Sequence, residues 1–387
     1  MRVYIKENNH DEDFQSGSWR KQLHYKSFLP ALINNEWVWE DGEINVLLEK
    51  AMRSLSELNA YTHIVPDVDR YIKMHVTKEA NTSSKIEGTQ TEMDDIVLPK
   101  SAVLPEKHDD WQEVQNYVKA MGQAIEELDS LPLSIRLIKS IHATLLSGVR
   151  GEYKQPGEIR KSQNWIGGSS PSNAYFVPPH QDDIADLLTD LEKFWHNDSI
   201  FVPHLITCAI THYQFETIHP FCDGNGRIGR LLIPLYLISF KLLDKPSLYM
   251  SAYLEKNRNE YYEALDNVRV HNDLLGWCKF FLDMLTQTAE GGKQTFQKIK
   301  LLHDEMTNLA MSMKKRGSNA LALIIFLYEN PIVDIRTVGE TLKVSYPTAN
   351  QLVQDLVEKG VLAPYQKKSN ARLYVFLKYM EIFDKNI

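Results

Sequence analysis

The 387-residue sequence is poor in cysteine, and its three cysteines, Cys208, Cys222 and Cys278, are widely spaced. This excludes a disulfide-stapled scaffold and a cysteine-rich zinc site, and it favours a reducing compartment. An excess of basic residues is also lacking, because 43 Lys and Arg stand against 51 Asp and Glu. The net charge of −8 gives the chain as a whole no electrostatic footprint for nucleic acid.

Long apolar runs are missing as well. Residues 1–19 contain no apolar stretch of the kind found in secretory signals. The longest apolar run, residues 231–243, is interrupted by Lys241 and is shorter than the ~20 residues that span a bilayer. Repeats and low-complexity tracts are not found. With 43% hydrophobic and 10% aromatic residues, we expect a folded cytoplasmic protein without membrane attachment.

Apolar residues recur every three or four positions through most of residues 1–310 and predict a mainly α-helical fold. The expected helices cover residues 44–58, 67–85, 111–128, 133–146, 182–196, 203–215, 227–243, 255–268 and 274–300. Gly88 is expected to end the second of these helices. The Gly-, Ser- and Asn-rich stretch 159–177 is the exception, and it predicts a short hairpin.

The pattern changes near residue 313. Short helices are expected first and short strands after them, around a basic tip at residues 366–370. The expected segments are 320–328, 337–342, 346–359, 361–363 and 372–376. Three short helices followed by a two-stranded wing are typical of a winged helix-turn-helix domain, which we assign to residues 319–387.

The most informative stretch is the string HPFCDGNGRIGR at residues 219–230, which leads into a long apolar helix. Gly224 and Gly226 permit backbone angles that turn successive N–H groups toward one point, and the helix N-terminus adds partial positive charge. Such an arrangement suits phosphate oxygens. Arg227 and Arg230 are three positions apart, so both can face the same anion.

Two more side chains of the string carry chemistry. Asp223 offers an oxygen ligand to a Mg²⁺ ion that bridges phosphates. His219 can take up a proton at neutral pH. A helix-capping loop beside surface arginines would explain an isolated G-x-G, but the whole string indicates a site for phosphate-ester or nucleotidyl transfer. The sequence has no G-x-x-x-x-G-K-[ST] loop that would indicate another phosphate-binding fold.

The string resembles the Fic family signature, H-x-F-x-[D/E]-G-N-G-R-x-x-R, at every defined position. The resemblance implies a helical core with a short β-hairpin flap that transfers AMP from ATP to a Ser, Thr or Tyr hydroxyl of a protein, which can be the chain itself. It places the core at residues 111–290. An N-terminal helical region at 1–110 would precede the core, and a linker helix at 291–318 would join it to the C-terminal domain.

The resemblance also implies a role for each site residue. His219 would be the general base, and Asp223 would hold Mg²⁺. The nucleotide would be bound by Gly224, Asn225, Gly226, Arg227, Ile228, Gly229 and Arg230. Tyr261 and Tyr262 would border the adenine, with packing in the core as the alternative for both.

The segment SSKIEG at residues 83–88 resembles the inhibitory motif [S/T]-x-x-x-E-[G/N] of regulated Fic proteins, formed here by Ser83, Glu87 and Gly88. Ser83 and Glu87 lie four positions apart on one helical face, and Glu87 could pair with Arg230. A paired Arg230 cannot hold the γ-phosphate, so ATP would bind in the wrong orientation. The resemblance therefore implies an autoinhibited adenylyltransferase.

Other segments have a less specific pattern. Residues 158–168 and 174–179 resemble the Fic flap, whose edge can pair with a target peptide, although a plain surface hairpin would look the same. His204 and His212 are expected to be satisfied core histidines rather than metal ligands.

Several alternatives stay open at the level of the sequence. Some Fic proteins are thought to use the inhibitory glutamate to remove AMP, and Glu87 would then be a catalytic residue; other relatives transfer UMP, phosphocholine or phosphate. A DNA-binding regulator with a nucleotide-sensing Fic domain is another alternative, but its candidate recognition helix at 346–357 contains Asp355 and few basic residues. The sequence also leaves open a homodimer and the choice between DNA and protein as the partner of the C-terminal domain.

Overall fold

The computed structural model describes residues 3–7, 10–99, 102–365 and 372–383, and it is mainly α-helical with small antiparallel sheets. The helices are α1 (Gly42–Ile64), α2 (Val68–Ile86), α3 (Met93–Ile96), α4 (His108–Leu128), α5 (Ile135–Leu145), α6 (Ile184–Trp195), α7 (His204–Ile218), α8 (Asn225–Ser239), α9 (Ser251–Lys256), α10 (Arg258–His271), α11 (Leu274–Ser312), α12 (Gly317–Glu329), α13 (Ile335–Leu342), α14 (Tyr346–Glu358) and α15 (Leu377–Phe383). The strands are β1 (Val3–Glu7), β2 (His10–Asp13), β3 (Gly17–Lys21), β4 (Lys26–Pro30), β5 (Trp37–Trp39), β6 (Ile332–Asp334), β7 (Ala363–Tyr365) and β8 (Leu373–Val375). Within the described ranges, no helix is long and apolar enough to cross a membrane.

The mainly helical fold predicted from the sequence is confirmed, but α3 was not predicted, α1 extends to residue 64, α8 ends at residue 239, and two further helices differ as follows. The helix expected at 255–268 is two helices that meet at Asn257. The helix expected at 274–300 extends to residue 312, because Phe296, Ile299, Leu302 and Met306 continue its buried face at helical spacing. Residues 291–312 are therefore the second half of α11 rather than a separate linker helix.

Two helices buried almost all round form the centre of the fold. Every residue of α7 except His204 is buried, and α8 is buried nearly as completely. A helix that is buried on all sides needs neighbours on all sides. These two helices pack on each other and on α4, α5, α6 and α11. The loop between α7 and α8 is thus held between two fixed helix ends.

The strands near the N-terminus differ from the helical region expected at residues 1–110. β1 pairs with both β2 and β5, and β3 pairs with β4 as a hairpin. The β1–β5 pairing joins Val3 to Trp39. Such a long-range partner leaves no local pattern in the sequence, so the sheet was not predicted and the region was expected to be helical.

The C-terminal part contains the expected three helices, α12, α13 and α14, and an antiparallel sheet of order β6-β8-β7. The sequence did not predict β6 or α15, and the basic tip at 366–370 lies outside the described residues. This part packs on α2. The Tyr71 ring lies 4.9 Å from that of Tyr328, and Arg70 pairs with Glu329 at 2.7 Å.

Candidate active site

The loop from residue 219 to residue 224 joins α7 to α8 and is closed by one amide side chain. The Asn225 amide accepts from the Phe221 N–H and donates to the Phe221 carbonyl, both at 2.8 Å. His219 ends α7 with a left-handed φ of 50°, and Gly224 precedes α8 with a φ of 77°, a conformation that glycine adopts without strain. The loop thus delivers the N-terminus of α8 next to His219.

His219 is half-buried and has a defined neutral form. Its Nδ1 lies 3.3 Å from the Glu216 carbonyl, which can only accept, so Nδ1 carries the proton and Nε2 keeps a lone pair. Burial lowers the pKa of His219 to about 4. The imidazole is therefore neutral at pH 7 and can accept a proton at Nε2.

Two side chains of the 158–168 stretch fix the backbone at His219. The His219 carbonyl accepts from Arg160 Nε at 2.9 Å and from Asn164 Nδ2 at 3.1 Å. Arg160 is fully buried, and its Nη2 also donates to the Pro179 carbonyl at 2.7 Å. The sequence assigned neither residue a role, because these contacts join positions more than 50 residues apart.

His142 holds the loop from the opposite side. Its Nε2 donates to the Asp223 carbonyl at 2.9 Å, and its Nδ1 accepts from the Gly157 N–H at 2.8 Å. The ring stacks on Phe221 with 3.8 Å between centroids, and burial lowers its pKa to about 4. His142 is a positioning residue that no sequence pattern revealed, since it is one polar position on the amphipathic helix α5.

Charged groups lie at the end of the loop and in the first turn of α8. Arg227 is buried, and its guanidinium lies 3.3 Å from a Glu113 carboxylate oxygen and 3.7 Å from Asp223. Glu113 also pairs with Arg150 at 2.9 Å. The Asp223 carboxylate is nearly half exposed, and within the described part of the chain no group of three or more His, Cys, Asp or Glu residues could hold a metal. Asp223 is thus a lone accessible carboxylate beside the helix N-terminus.

Arg230 is bound to α2. Its Nη2 donates to Glu87 Oε1 at 2.6 Å, and its Nε donates to Ser83 Oγ at 2.8 Å. Burial works to raise the pKa of Glu87, but the paired Arg230 lowers it overall, so the carboxylate is ionised at pH 7. Gly88, with a φ of 105°, ends the helix just after Glu87. This is the contact between Glu87 and Arg230 that the family resemblance implies.

Two glycines of α8 allow other groups to approach closely. A Cβ on Gly226 would lie 2.4 Å from Glu87 Oε1, and one on Gly229 would lie 2.0 Å from Glu216 Oε1. Glu216 is buried, which raises its pKa to about 7, and its Oε1 has no hydrogen-bond partner among the described residues. No sequence pattern indicated a role for Glu216. Ile228, between the two glycines, is buried in the core.

The two tyrosines expected at the adenine have different surroundings. Tyr261 is buried in the core, where its hydroxyl lies 2.9 Å from His212 Nε2. Tyr262 is 37% exposed, and the Arg258 guanidinium lies 5.7 Å from its ring centroid. Tyr261 thus packs in the core, which was the alternative for both tyrosines. Of the two, only Tyr262 is open to a ligand.

Of the two histidines expected in the core, His212 lies there, but His204 is exposed at the start of α7, so the prediction is wrong for His204. His212 Nδ1 lies 3.0 Å from the Gly229 carbonyl, so this ring joins α7, α8 and α10. His204 Nδ1 lies 3.1 Å from the Tyr236 hydroxyl.

The hairpin expected at 159–177 is reduced to a single bridge. Ile166 and Phe176 exchange two backbone hydrogen bonds of 2.8 and 3.1 Å, without continuous strands on either side. Gly167 and Gly168, both left-handed, turn the chain just after Ile166. The segment is nevertheless fixed beside His219 through Arg160 and Asn164.

Two family models match the chain around this site. Residues 46–126 match the Fic/DOC family N-terminal model, and residues 132–237 match the Fic/DOC family model. The chain is 29% identical over 160 residues to the protein adenylyltransferase Fic of Aedes aegypti, which covers 41% of this chain and 29% of that protein. It is 27% identical over 251 residues to that of Drosophila willistoni, which covers 58% of this chain and 46% of the relative. The chain thus spans less than half the length of these curated relatives.

Solved structures resemble a large part of the fold. A Fic family protein from Desulfovibrio desulfuricans G20 has a TM-score of 0.56 and 20% identity, over 88% of this chain and 97% of that one. A Fic domain containing signaling protein from Bacteroides thetaiotaomicron has a TM-score of 0.52 and 17% identity, over 65% of this chain and 97% of that one. At these identities the likeness shows the fold.

Proposed function

From the match of residues 132–237 to the Fic/DOC family model, we propose that the chain is an autoinhibited protein adenylyltransferase that moves AMP from ATP to a protein hydroxyl. The observation that carries the proposal is one arrangement: a neutral His219 ends α7, a six-residue loop leads from it to the N-terminus of α8, and the first turns of α8 carry the buried Arg227 and Arg230. The names of the matched relatives support the same activity. The acceptor is a Ser, Thr or Tyr hydroxyl, on another protein or on the chain itself.

In the proposed step His219 is the general base. The acceptor oxygen attacks the α-phosphorus of ATP, and its proton passes to His219 Nε2. The bond from the α-phosphorus to the bridging oxygen breaks, and pyrophosphate leaves. Arg160, Asn164 and His142 act as positioning residues, because they hold the loop that presents His219.

The triphosphate is bound by the start of α8. The N–H groups of Asn225 and Gly226 and the positive end of the helix dipole attract phosphate oxygens. The Gly224 N–H, which donates to Asp223 Oδ1 at 2.6 Å in this structure, would join them once that bond is released. Arg227 contacts the β-phosphate, and Arg230 contacts the γ-phosphate once Glu87 releases it. Ile228 and Gly229 pack the helix behind these groups, and Tyr262 borders the adenine.

Asp223 is the proposed magnesium ligand. Mg²⁺ in nucleotide sites is typically held by one or two carboxylates together with phosphate oxygens and water, so a lone accessible carboxylate beside the phosphate-binding helix end fits. The bound ion would offset negative charge on the phosphates.

Glu87 is the proposed inhibitory group. While Glu87 pairs with Arg230 Nη2 at 2.6 Å, the charge of this guanidinium is neutralised, and ATP would not place its α-phosphorus in line with the acceptor. The same Glu87 would be needed for the reverse reaction, AMP removal, but the relatives' names favour transfer.

The C-terminal region is proposed to be a winged-helix module that binds protein. Its three helices and antiparallel β6-β8-β7 sheet support this assignment. The candidate recognition helix α14 carries Asp355, which pairs with Arg316 and so neutralises a cation that DNA would need.

One experiment tests the activity. The wild-type chain, Glu87→Gly and the Glu87→Gly, His219→Ala double variant are incubated with ATP and Mg²⁺, and mass spectrometry follows a gain of AMP on the protein. We expect a strong gain for Glu87→Gly and none for the double variant. Parallel incubations with UTP, GTP and CTP identify the donor. Transfer that persists without the imidazole would overturn the role of His219, and no gain from Glu87→Gly would overturn the role of Glu87.

A further inference from the structure

The hairpin formed by β3 and β4 lies directly beside the segment 158–179. The Phe28 N–H donates to the Val177 carbonyl at 2.9 Å. The Ser172 hydroxyl donates to the His24 carbonyl at 3.1 Å, and the Tyr25 hydroxyl lies 3.4 Å from Gln163 Oε1. The hairpin precedes both family-matched regions, so it is an addition to them. It extends the surface around His219.

Six exposed side chains of these two segments form what we call the hairpin–flap face. They are the cationic or apolar Lys21, Leu23, His24, Lys26, Lys161 and Trp165, and the exposed acidic residue of the second segment, Glu158, lies 3.8 Å from Lys139. Leu23 is 87% exposed and Trp165 is 40% exposed. Exposed apolar groups among charges of one sign are typical of a surface that binds a partner.

The charges on this face lack partners. Lys21 and Lys26 are directly opposite each other in the hairpin register. Like charges at opposite positions of two strands destabilise their pairing. Within the described residues, neither of these lysines nor Lys161 forms an ion pair, whereas Arg20, next in the chain, is neutralised by Asp183 at 2.9 Å. A negatively charged partner would remove this repulsion.

The cationic face contrasts with the rest of the molecule. The whole chain has a net charge of −8, so the positive patch is a local feature. The negative net charge repels the many phosphates of a nucleic acid at long range, whereas a short acidic peptide carries few charges and can reach the patch. Arg160 and Asn164 connect the face to the His219 carbonyl. A peptide docked on the face would therefore lie next to the proposed base.

We propose that the hairpin–flap face binds an acidic segment of the protein substrate and thereby selects acceptor hydroxyls flanked by Asp or Glu. This inference rests on the proposed adenylyl transfer and names its substrate class. Leu23 and Trp165 pack on apolar side chains of the same segment, and the lysines hold its carboxylates.

The test uses the full chain with Glu87→Gly and three peptides, each with one Tyr acceptor flanked by four Glu, four Gln or four Lys. Mass spectrometry gives kcat/KM for AMP transfer at low and high salt. We expect about a tenfold preference for the Glu peptide over the Gln peptide, decreasing with salt. The triple variant Lys21→Glu, Lys26→Glu, Lys161→Glu should lose this preference. A control triple at exposed lysines elsewhere, Lys50→Glu, Lys298→Glu, Lys315→Glu, should keep it.

A second measurement separates the two proposals. Fluorescence anisotropy follows a labelled Glu peptide in which Phe replaces the acceptor Tyr, so binding is seen without chemistry. If this peptide binds and the Lys21, Lys26, Lys161 triple variant weakens it at least tenfold, the face stands even if no peptide is modified, and only the transfer proposal fails. Equal kcat/KM for all three peptides, or tighter binding of a single-stranded DNA 20-mer than of the Glu peptide, would overturn the inference.

Discussion

Arg230 and Ser83 are joined by two hydrogen bonds: Nε donates to the Ser83 hydroxyl at 2.8 Å, and Nη2 donates to the Ser83 carbonyl at 3.0 Å. Both residues are buried. The serine therefore sets the plane of the guanidinium, and the same Nη2 reaches Glu87. The proposed inhibitory contact is thus made by Ser83 in α2 and by Glu87 at its C-cap, rather than by the glutamate alone.

Ser83→Ala should raise self-modification, by less than Glu87→Gly does. Loss of a hydrogen bond to a charged group costs about 1.5–3 kcal/mol. Without the Ser83 hydroxyl, the Arg230 guanidinium would be less well oriented, and Glu87 would hold it more weakly. We expect about a tenfold rise in the rate of AMP incorporation, measured by mass spectrometry.

The matched control is Ser84→Ala. Ser84 is also fully buried, but its hydroxyl has no partner among the described residues, so its removal leaves the Arg230 contacts intact. If Ser83→Ala and Ser84→Ala gave the same rate, Ser83 would have no part in inhibition.

The rate of transfer by Glu87→Gly should decrease toward low pH with a midpoint close to 4. The base works only as neutral imidazole, and burial lowers the pKa of His219 to about 4, so the imidazole stays unprotonated well below the ordinary histidine range. The measurement is kcat/KM against pH for the free enzyme, with circular dichroism to verify the fold at each pH. A midpoint near 6.5 would show that the base is not a histidine whose pKa is lowered.

Gly229→Ala should destabilise the protein by about 1–3 kcal/mol, as overpacking of a core does. The added methyl would lie 2.0 Å from the buried Glu216 carboxyl, so one of the two groups must shift. Urea unfolding measures the free energy of unfolding.

Gly291→Ala is the matched control within α11, since nothing lies within 4 Å of its Cβ position. Helix propensity alone should make that variant more stable by up to about 1 kcal/mol. Equal effects of the two substitutions would contradict the close approach of Glu216 to α8.

His75→Phe should make stability less dependent on pH. His75 is stacked on Phe296, and burial lowers its pKa to about 3. An unfolded histidine titrates near 6.5, so the contribution of His75 is fully present above pH 6.5 and is lost as the pH decreases toward 3. The slope of unfolding free energy against pH between 6 and 4 should decrease by about 1.4 kcal/mol per unit in the variant. Identical slopes for both proteins would show that His75 is protonated in the folded state.

The helices and the loop at 219–230 could be predicted because their information is local. Apolar spacing gives a helix wherever one face is buried, and the glycines and charged groups of the loop are adjacent in the chain. Glu87 could be connected with Arg230 only through the family resemblance, since 143 residues separate them.

The groups that hold the loop could not be predicted. His142, Arg160, Glu113 and Glu216 act through contacts between distant segments, and each occupies an ordinary position of its own element. The β1–β5 pairing escaped prediction for the same reason. Burial of a polar residue against a remote backbone leaves no periodic trace in a sequence.

One helix, α2, has its first turns against the C-terminal module and its last turn at Arg230. Tyr71 and Ser83 are twelve residues apart, which is about 18 Å along a helix axis. A rigid rod of that length converts a small tilt at one end into a displacement at the other. A protein that binds the C-terminal module and shifts Tyr328 would therefore disturb the contacts of Ser83 and Glu87 with Arg230 from a distance, without approaching the loop at His219.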